Sequence, residues 1–392
     1  YIYIYNRILY LANDAGAGKS TASSSGFQKP DVLFVSPFNK QCIELQRDGY
    51  KAVTVNVFFG KGLTENNLST PYNWEEFKLI VFDEVLLNNM YFLNLIKDFV
   101  EENHNKVSII ANGDVNQLQP INLGVSNVED KNAYRMNCIK QIFPNIVTLK
   151  EIKRLKSTKD KNKMRKIKRA IFRGDEVEKI CEKYDIKMIH NMKDVKTKRN
   201  IAYFNFRCKQ INTLVHKQQG SSTTKVDDIC IWKGLTLQCK KHYKSKDNSR
   251  TYVNNLYRID GIGKFVKVVD ISNDSNVFNM DREMLWKIFS LAYCNTCHSE
   301  QGCSIDEEIT IFDSNTPYVD RYWLYTAITR ARELKNVSVF IHSGAEVAKL
   351  ETCKLKQYIN MKIDNYKTWL KALKLIPGGN MLISKRPPNN LI

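Results

Sequence analysis

Asn13–Ser20 reads NDAGAGKS, most of the pattern of a loop that wraps phosphate. In such a loop Gly16 and Gly18 let backbone N–H groups close around phosphate oxygens. Lys19 reaches the β- and γ-phosphates, and Ser20 sets a hydroxyl on Mg²⁺. A helix starting there adds the positive end of its dipole. On this reading Asn13, Asp14, Ala15, Gly16, Ala17, Gly18, Lys19, Ser20 and Thr21 hold ATP, and Ser20 and Asp83 hold Mg²⁺. The pattern asks for glycine at position 13 and the chain has asparagine, which tolerates left-handed backbone angles better than most residues. Asp83 and Glu84 close the apolar run LIVFDE. There an aspartate holds the metal through water, and the adjacent glutamate orients and deprotonates the attacking water. Alone, an acidic pair at a strand end is an ordinary surface feature; paired with Lys19 it is catalytic. Gln117, four residues beyond Gly113, suits γ-phosphate sensing or water placement, although by itself it is only a polar loop residue. LYTAITRARE carries Arg330 and Arg332, and an arginine brought in from another domain stabilises charge on a transferred phosphoryl group.

A second stretch, AYCNTCHSEQGCSID, has three readings. Cys294, Cys297 and His298 spell a haem attachment pattern. With Cys303 they offer soft ligands for zinc. Alternatively the sulfurs are packing residues and His298, Gln301 and Gly302 are the working positions. The haem reading needs an oxidising setting and an axial partner, and the sequence shows neither.

These residues require elements to hold them. ILYLA (8–12), DVLFVSP (31–37), KLIVFDEV (78–85) and KVSIIANGD (106–114) are buried-strand patterns ending in polar residues. Helix-length segments between them indicate βαβ units and a parallel sheet, whose ligands gather at the strand ends. Only 12 residues separate Lys19 from Val32, so the helix after the phosphate loop must be short. Residues 150–173 hold twelve basic side chains against two acids and read as an exposed basic helix, with a strand-binding track as the minority reading. A domain boundary falls near 149. NIAYFNF (200–206) opens a second α/β unit, which resumes at EITIFDS (308–314) and NVSVFIH (336–342). Between about 232 and 290 the pattern becomes β-rich with turn signals, a small barrel-like insertion. The tail is rich in Gly, Pro and Asn and reads as loose.

Composition narrows the classes. The 392 residues carry 60 Lys and Arg against 41 Asp and Glu, a formal net charge of +19 that points to a polyanion, most often nucleic acid. No apolar run approaches the length of a membrane span, and the N-terminal stretch has no basic n-region or cleavage site. Ten scattered cysteines without an export signal suit reduced thiols in an intracellular compartment, be it cytoplasm, nucleus or viral factory.

Taken in order, the motifs resemble those of the superfamily 1 helicases, over about residues 8–343. NDAGAGKS resembles motif I, VFDEV motif II, GDVNQLQPI motif III and YTAITRAR motif VI, which makes Arg330 the finger. LKEIKRL resembles motif IV, placing Arg154 on the γ-phosphate. VSPFNK and AVTVNVFFG resemble motifs Ia and Ib; Pro37, Phe38, Asn39, Thr54, Asn56 and Phe58 would then touch the strand, with Phe38 or Phe58 as stacking platforms. NTCHSEQGCSID is similar to motif V of the RecD-like and Pif-type branch, through Thr296, His298, Gln301 and Gly302. In the family that segment couples strand contact to the γ-phosphate.

The resemblance implies an α/β fold of two RecA-like parallel-sheet P-loop NTPase domains, 1–148 and 149–350. A small β-rich SH3-like insertion occupies 232–290 of the second, and 351–392 forms a C-terminal extension. It implies ATP and Mg²⁺ as cofactors, single-stranded DNA as partner and 5′-to-3′ movement, in replication, recombination or repair. The rival readings are a viral-type superfamily 1 RNA helicase and a strand-binding module without turnover. Twelve residues precede Asn13, which leaves no room for the family's upstream adenine-contacting glutamine motif. The expectation is therefore a segment of a larger replication protein.

Overall fold

The computed structural model describes residues 7–61, 70–118, 120, 131–155, 157–219, 224–245, 249–302 and 304–348. The expected extension 351–392 and Cys303 lie outside them. Residues up to Phe340 pack as one compact unit.

The first sheet has six parallel strands: β1 (Ile8–Ala12), β2 (Val32–Ser36), β3 (Lys51–Thr54), β4 (Leu79–Phe82), β5 (Ser108–Asp114) and β6 (Asn145–Leu149). Their order is β3-β2-β4-β5-β1-β6. The central strands are apolar on both faces because both are covered. Ile80 and Phe82 of β4 enter one core with Val35 and Ile109, while Leu79 and Val81 enter the other with Phe34 and Ile110. Five helices accompany the sheet: α1 (Lys19–Ser23), α2 (Asn39–Arg47), α3 (Val55–Phe58), α4 (Met90–Asn103) and α5 (Lys131–Ile142). The first is as short as the spacing requires. Two strands went unread in the sequence. β3 is only four residues long, and β6 is an edge strand whose Ile146 and Val147 stay exposed. The division expected at 148/149 falls at the end of β6.

The basic stretch forms α6 (Thr158–Arg173), capped by the Ser157 side chain and ended by Gly174 in a left-handed conformation, followed by α7 (Val177–Lys183). A second parallel sheet has the order β16-β8-β17-β18-β7, from β7 (Lys187–Ile189), β8 (Arg199–Ala202), β16 (Cys294–Thr296), β17 (Ile309–Ile311) and β18 (Val337–Phe340). Helices α8 (Asn205–Gln219) and α10 (Arg321–Ile328) belong to this half.

Between α8 and β16 lie a small hairpin, β9 (Lys225–Val226) with β10 (Ile229–Cys230), and a five-stranded antiparallel sheet. Its strands are β11 (Thr236–Cys239), β12 (Leu256–Ile262), β13 (Val266–Asp270), β14 (Asn273–Met280) and β15 (Phe289–Leu291), with α9 (Arg282–Ile288) before the last. The order is β14-β13-β12-β11-β15. An antiparallel, β-rich insertion of this kind is what the sequence led one to expect in the second half. It shares one core with the second sheet: Tyr257, Val268 and Phe278 of the insertion join Ala202, Ile211 and Phe312. The whole is an α/β fold of two parallel sheets, as in RecA-like domains, with an antiparallel insertion. Among the described residues no helix is long and apolar enough to cross a membrane.

Candidate nucleotide and strand site

The phosphate loop follows β1 directly. The left-handed positions are Gly16 (φ 76°) and Gly18 (φ 74°), not Asn13. The expectation that Asn13 would exploit left-handed freedom is thus corrected. Its N–H donates to the Leu149 carbonyl at 3.2 Å and prolongs the β1–β6 ladder. The chain after β6 lies on the loop: the Gly16 carbonyl accepts from the N–H groups of Lys153 (2.8 Å) and Arg154 (3.0 Å). A Cβ on Gly16 would stand 2.5 Å from the Arg154 Cβ, on a backbone conformation that L residues rarely adopt. Gly16→Ala therefore displaces Arg154 or the loop, and the expected result is a loss of nucleotide affinity of about tenfold or more, a cost above 1.4 kcal/mol. Titration with a fluorescent ATP analogue checks this.

Lys19 opens α1 and is buried with its ammonium 3.1 Å from the Glu84 carboxylate. Burial pulls its pKa down, but Glu84, Asp114 and Asp83 together raise it above the ordinary lysine value. Asp83 ends β4. Its Oδ2 accepts from Gln41 Nε2 at 2.6 Å and faces the Ser20 hydroxyl at 3.4 Å, while Oδ1 accepts from Asn112 Nδ2 at 3.0 Å. Burial first, then the Glu84 carboxylate, push its pKa up to about 6, against Lys19 and Asn112. The pocket holds three buried carboxylates, Asp83, Glu84 and Asp114, around one lysine. Such a cluster is short of positive charge, and the Ser20 hydroxyl and Asp83 carboxylate are the hard oxygen donors that Mg²⁺ takes. The residues fit the ion.

The second sheet's half closes over this pocket through α10 and the turn after it. The Ala15 N–H donates to the Tyr325 hydroxyl at 3.0 Å, and the Leu118 N–H to the Thr326 hydroxyl at 2.9 Å. Arg330, 1% exposed, donates through Nε to the Thr326 carbonyl (3.1 Å) and through Nη2 to Gln117 Oε1 (3.3 Å). The Gln117 amide nitrogen in turn donates to Asp114 at 2.7 Å. Arg154 Nη1 donates to the Thr329 carbonyl at 2.9 Å. Burial, then the neighbouring Arg330 guanidinium, lowers the Arg154 pKa to about 10. Lys19, Ser20, Asp83, Glu84, Gln117, Arg154 and Arg330 thus gather in one place.

Part of α6 is neither a free face nor a strand track. Lys168 reaches Asp14 at 3.0 Å, Arg165 approaches it at 3.6 Å, and Lys168 lies 5.7 Å from the Tyr325 ring centroid. Sequence reasoning read α6 by its charge alone and missed these contacts. It also missed Tyr325 and Thr326, although they stand inside the recognised motif VI, and Gln41, for which the sequence carries no signal.

The strand candidates separate into groups. Pro37, Phe38 and Asn39 face His298 and Gln301 across a cavity of about 100 Å³, with Val253 and Asn254 of the insertion closing one side. Burial lowers the His298 pKa, favouring the neutral ring. Beyond lies a cleft of about 640 Å³, floored by Asn39 and Thr54 and roofed by Arg250, Tyr252 and Asn276 of the insertion. The hydroxyl of Thr54 also caps α3, and that of Thr296 is taken up in the turn to Ser299. Asn56 sits partly exposed in α3. Gly302 (φ 84°) packs against the Gln41 side chain. Phe58 corrects the stacking expectation. It is 2% exposed, with rings of Phe59, Phe82 and Phe99 edge-on at 5.0, 5.7 and 5.0 Å, so it is core. Cys294 and Cys297 are buried, the former beside Cys208, and among the described residues no group of His and Cys is placed to hold a metal ion.

No protein-family model and no curated protein matches the sequence. Solved structures do. Pif1 from Bacteroides, bound to single-stranded DNA, is 16% identical and superposes over 91% of this chain and 95% of its own, with a TM-score of 0.56. The same helicase with ADP-AlF3 and single-stranded DNA gives 16%, 89%, 94% and 0.54. Pif1 helicase from Candida albicans is 14% identical over 91% of this chain and 97% of its own, with a TM-score of 0.57. The fold is therefore that of the Pif1 helicases, nearly end to end.

Proposed function

We propose that this chain is an ATP-hydrolysing motor on single-stranded nucleic acid. One observation carries the reading: Arg330, from the half built on the second sheet, reaches Gln117 of the first in the pocket that holds Lys19, Asp83 and Glu84. Two halves sharing one nucleotide site turn ATP binding into closure and product release into opening. Lys19 and the phosphate loop would hold ATP, and Ser20 and Asp83 would hold Mg²⁺. The ion would supply charge neutralisation at the phosphates. Glu84 would take the proton of the attacking water, and Gln117 and Arg330 would sense and stabilise the γ-phosphate, with Arg154 beside them. The strand would run across both halves, past Pro37–Asn39, Thr54, Asn56, Thr296 and His298, under the insertion.

DNA as the strand is supported by the fold shared with a Pif1 bound to single-stranded DNA, and 5′-to-3′ movement is what the motif resemblance implies. A role in replication, recombination or repair follows from the same reading. The eight described cysteines are all unpaired thiols, which suits an intracellular site of action. The test is ATP hydrolysis with and without single-stranded DNA or RNA, for the chain and for Lys19→Ala. Strand-stimulated turnover that drops by about 10³-fold or more in Lys19→Ala is expected, with DNA the better activator. Strand binding without any turnover would instead make the chain a binding module, and stronger activation by RNA would replace the substrate.

A further inference from the structure

Gln41 is not one of the residues that sequence motifs pick out, yet it sits at the junction of three parts of the site. It is 8% exposed and lies in the first turn of α2. Both ends of its amide are engaged. Oε1 accepts from the Ser36 hydroxyl at 2.6 Å, and Nε2 donates to Asp83 Oδ2 at 2.6 Å. An ionised carboxylate only accepts, so the nitrogen must face Asp83, and the Ser36 hydroxyl, 0% exposed, must then donate to the oxygen. The bonded oxygen Oδ2 is the same one that faces Ser20. On its other side Gln41 is covered by the segment after β16: a Cβ on Gly302 would stand 3.4 Å from both Gln41 Cβ and Oε1. The neighbouring residue is tied to that segment as well, Lys40 to Glu300 at 2.8 Å.

We propose that Gln41 is a positioning residue for Asp83, fixing the carboxylate that would hold the metal and transmitting to it the position of the segment around Gly302. This rests on the nucleotide-site reading above. Groups that hold a metal ligand from behind set its orientation and basicity, and losing one weakens metal binding by about 10- to 100-fold. Gln41 differs from an ordinary support because one face touches the carboxylate and the other faces Gly302, the residue next to Gln301, which lines the strand cavity with His298. Movement of the second sheet's segment therefore cannot leave Gln41, and with it Asp83, unaltered.

The experiment is Mn²⁺ binding to the full chain, followed by electron paramagnetic resonance with a non-hydrolysable ATP analogue present. Gln41→Met keeps the length of the side chain and removes the donor. It should weaken Mn²⁺ by about tenfold or more, while affinity for the strand stays within about twofold. Hydrolysis should be restored toward the unsubstituted rate by excess Mg²⁺, a rescue that a merely structural defect would not show. Ser36→Ala, which frees the amide to rotate, should shift Mn²⁺ in the same direction by less, and it carries the test if Gln41→Met does not fold. Unchanged Mn²⁺ affinity in either folded variant overturns the role of Gln41 and leaves the motor reading standing. Failure of the unsubstituted chain to bind Mn²⁺ with the analogue overturns both.

Discussion

Arg330→Ala lowers strand-stimulated ATP hydrolysis by about 10³-fold or more and leaves ATP affinity within a few-fold. The reason is where the charge sits. Arg330 is 1% exposed, and its guanidinium is held by the Thr326 carbonyl and Gln117 Oε1. A second, half-buried guanidinium, that of Arg154, lies close enough to the Arg330 charge for that charge to help lower its pKa. An anion between them relieves that repulsion, and relieves it most when charge gathers on the γ-phosphoryl group in the transition state. On the proposed reading the phosphate loop would hold most of the ground-state ATP, so binding should survive the substitution. Arg330→Lys keeps a charge but loses the planar fork, and recovers only part of the rate. Steady-state turnover with saturating strand, beside titration of a nucleotide analogue, separates the two quantities. Unchanged turnover in Arg330→Ala removes this residue from the chemistry.

The largest expected effect on stability is at Glu300. It is buried, with its carboxylate 2.8 Å from Lys40 Nζ, 3.1 Å from Arg199 Nη2 and 2.6 Å from Asn295 Nδ2. Lys40 belongs to α2 of the first half; Arg199 opens β8 of the second. Glu300→Ala leaves two largely buried cations without their carboxylate, which costs about 3–5 kcal/mol. Burial pushes the Glu300 pKa up, but Lys40 and Arg199 outweigh it and hold it at about 2, below the ordinary 4.5. A depressed folded pKa contributes stability that is fully present above the unfolded value. It is lost as pH falls from about 4.5 through about 2. Melting curves of the chain and of Glu300→Ala should differ most near neutral pH and converge below pH 4. A constant gap across that window would show that the loss is packing alone.

What the sequence made legible follows from how each signal is encoded. Four strands of the first sheet were visible because central parallel strands are buried on both faces and leave unbroken apolar runs such as LIVF. β6 escaped because an edge strand need not be apolar throughout, and NIVTL stays largely exposed. The candidate phosphate-loop residues stood out in the sequence because phosphate binding demands backbone and side-chain types at fixed spacing. Gln41 and Glu300 were not, because their roles depend on partners 42 and 260 positions away, Asp83 and Lys40. Phe58 was misplaced for a related reason. Aromatics at a nucleic-acid face and in a core have the same letter, and only the rings of Phe82 and Phe99 around it decide.

The insertion leaves the second sheet and returns to it by very different connections. Its last strand, β15, ends at Leu291, and β16 begins at Cys294, so Ala292 and Tyr293 alone join them, both buried. On the other side the chain runs from Gln219 at the end of α8 to Thr236 at the start of β11. In mechanical terms the join to β16 is a short, stiff arm. A load applied to the insertion has its shortest path along the chain to β16, and from there to His298 and Gln301. If the chain is the motor proposed above, an opposing force on the insertion should slow its hydrolytic cycle and not only weaken its hold on the strand.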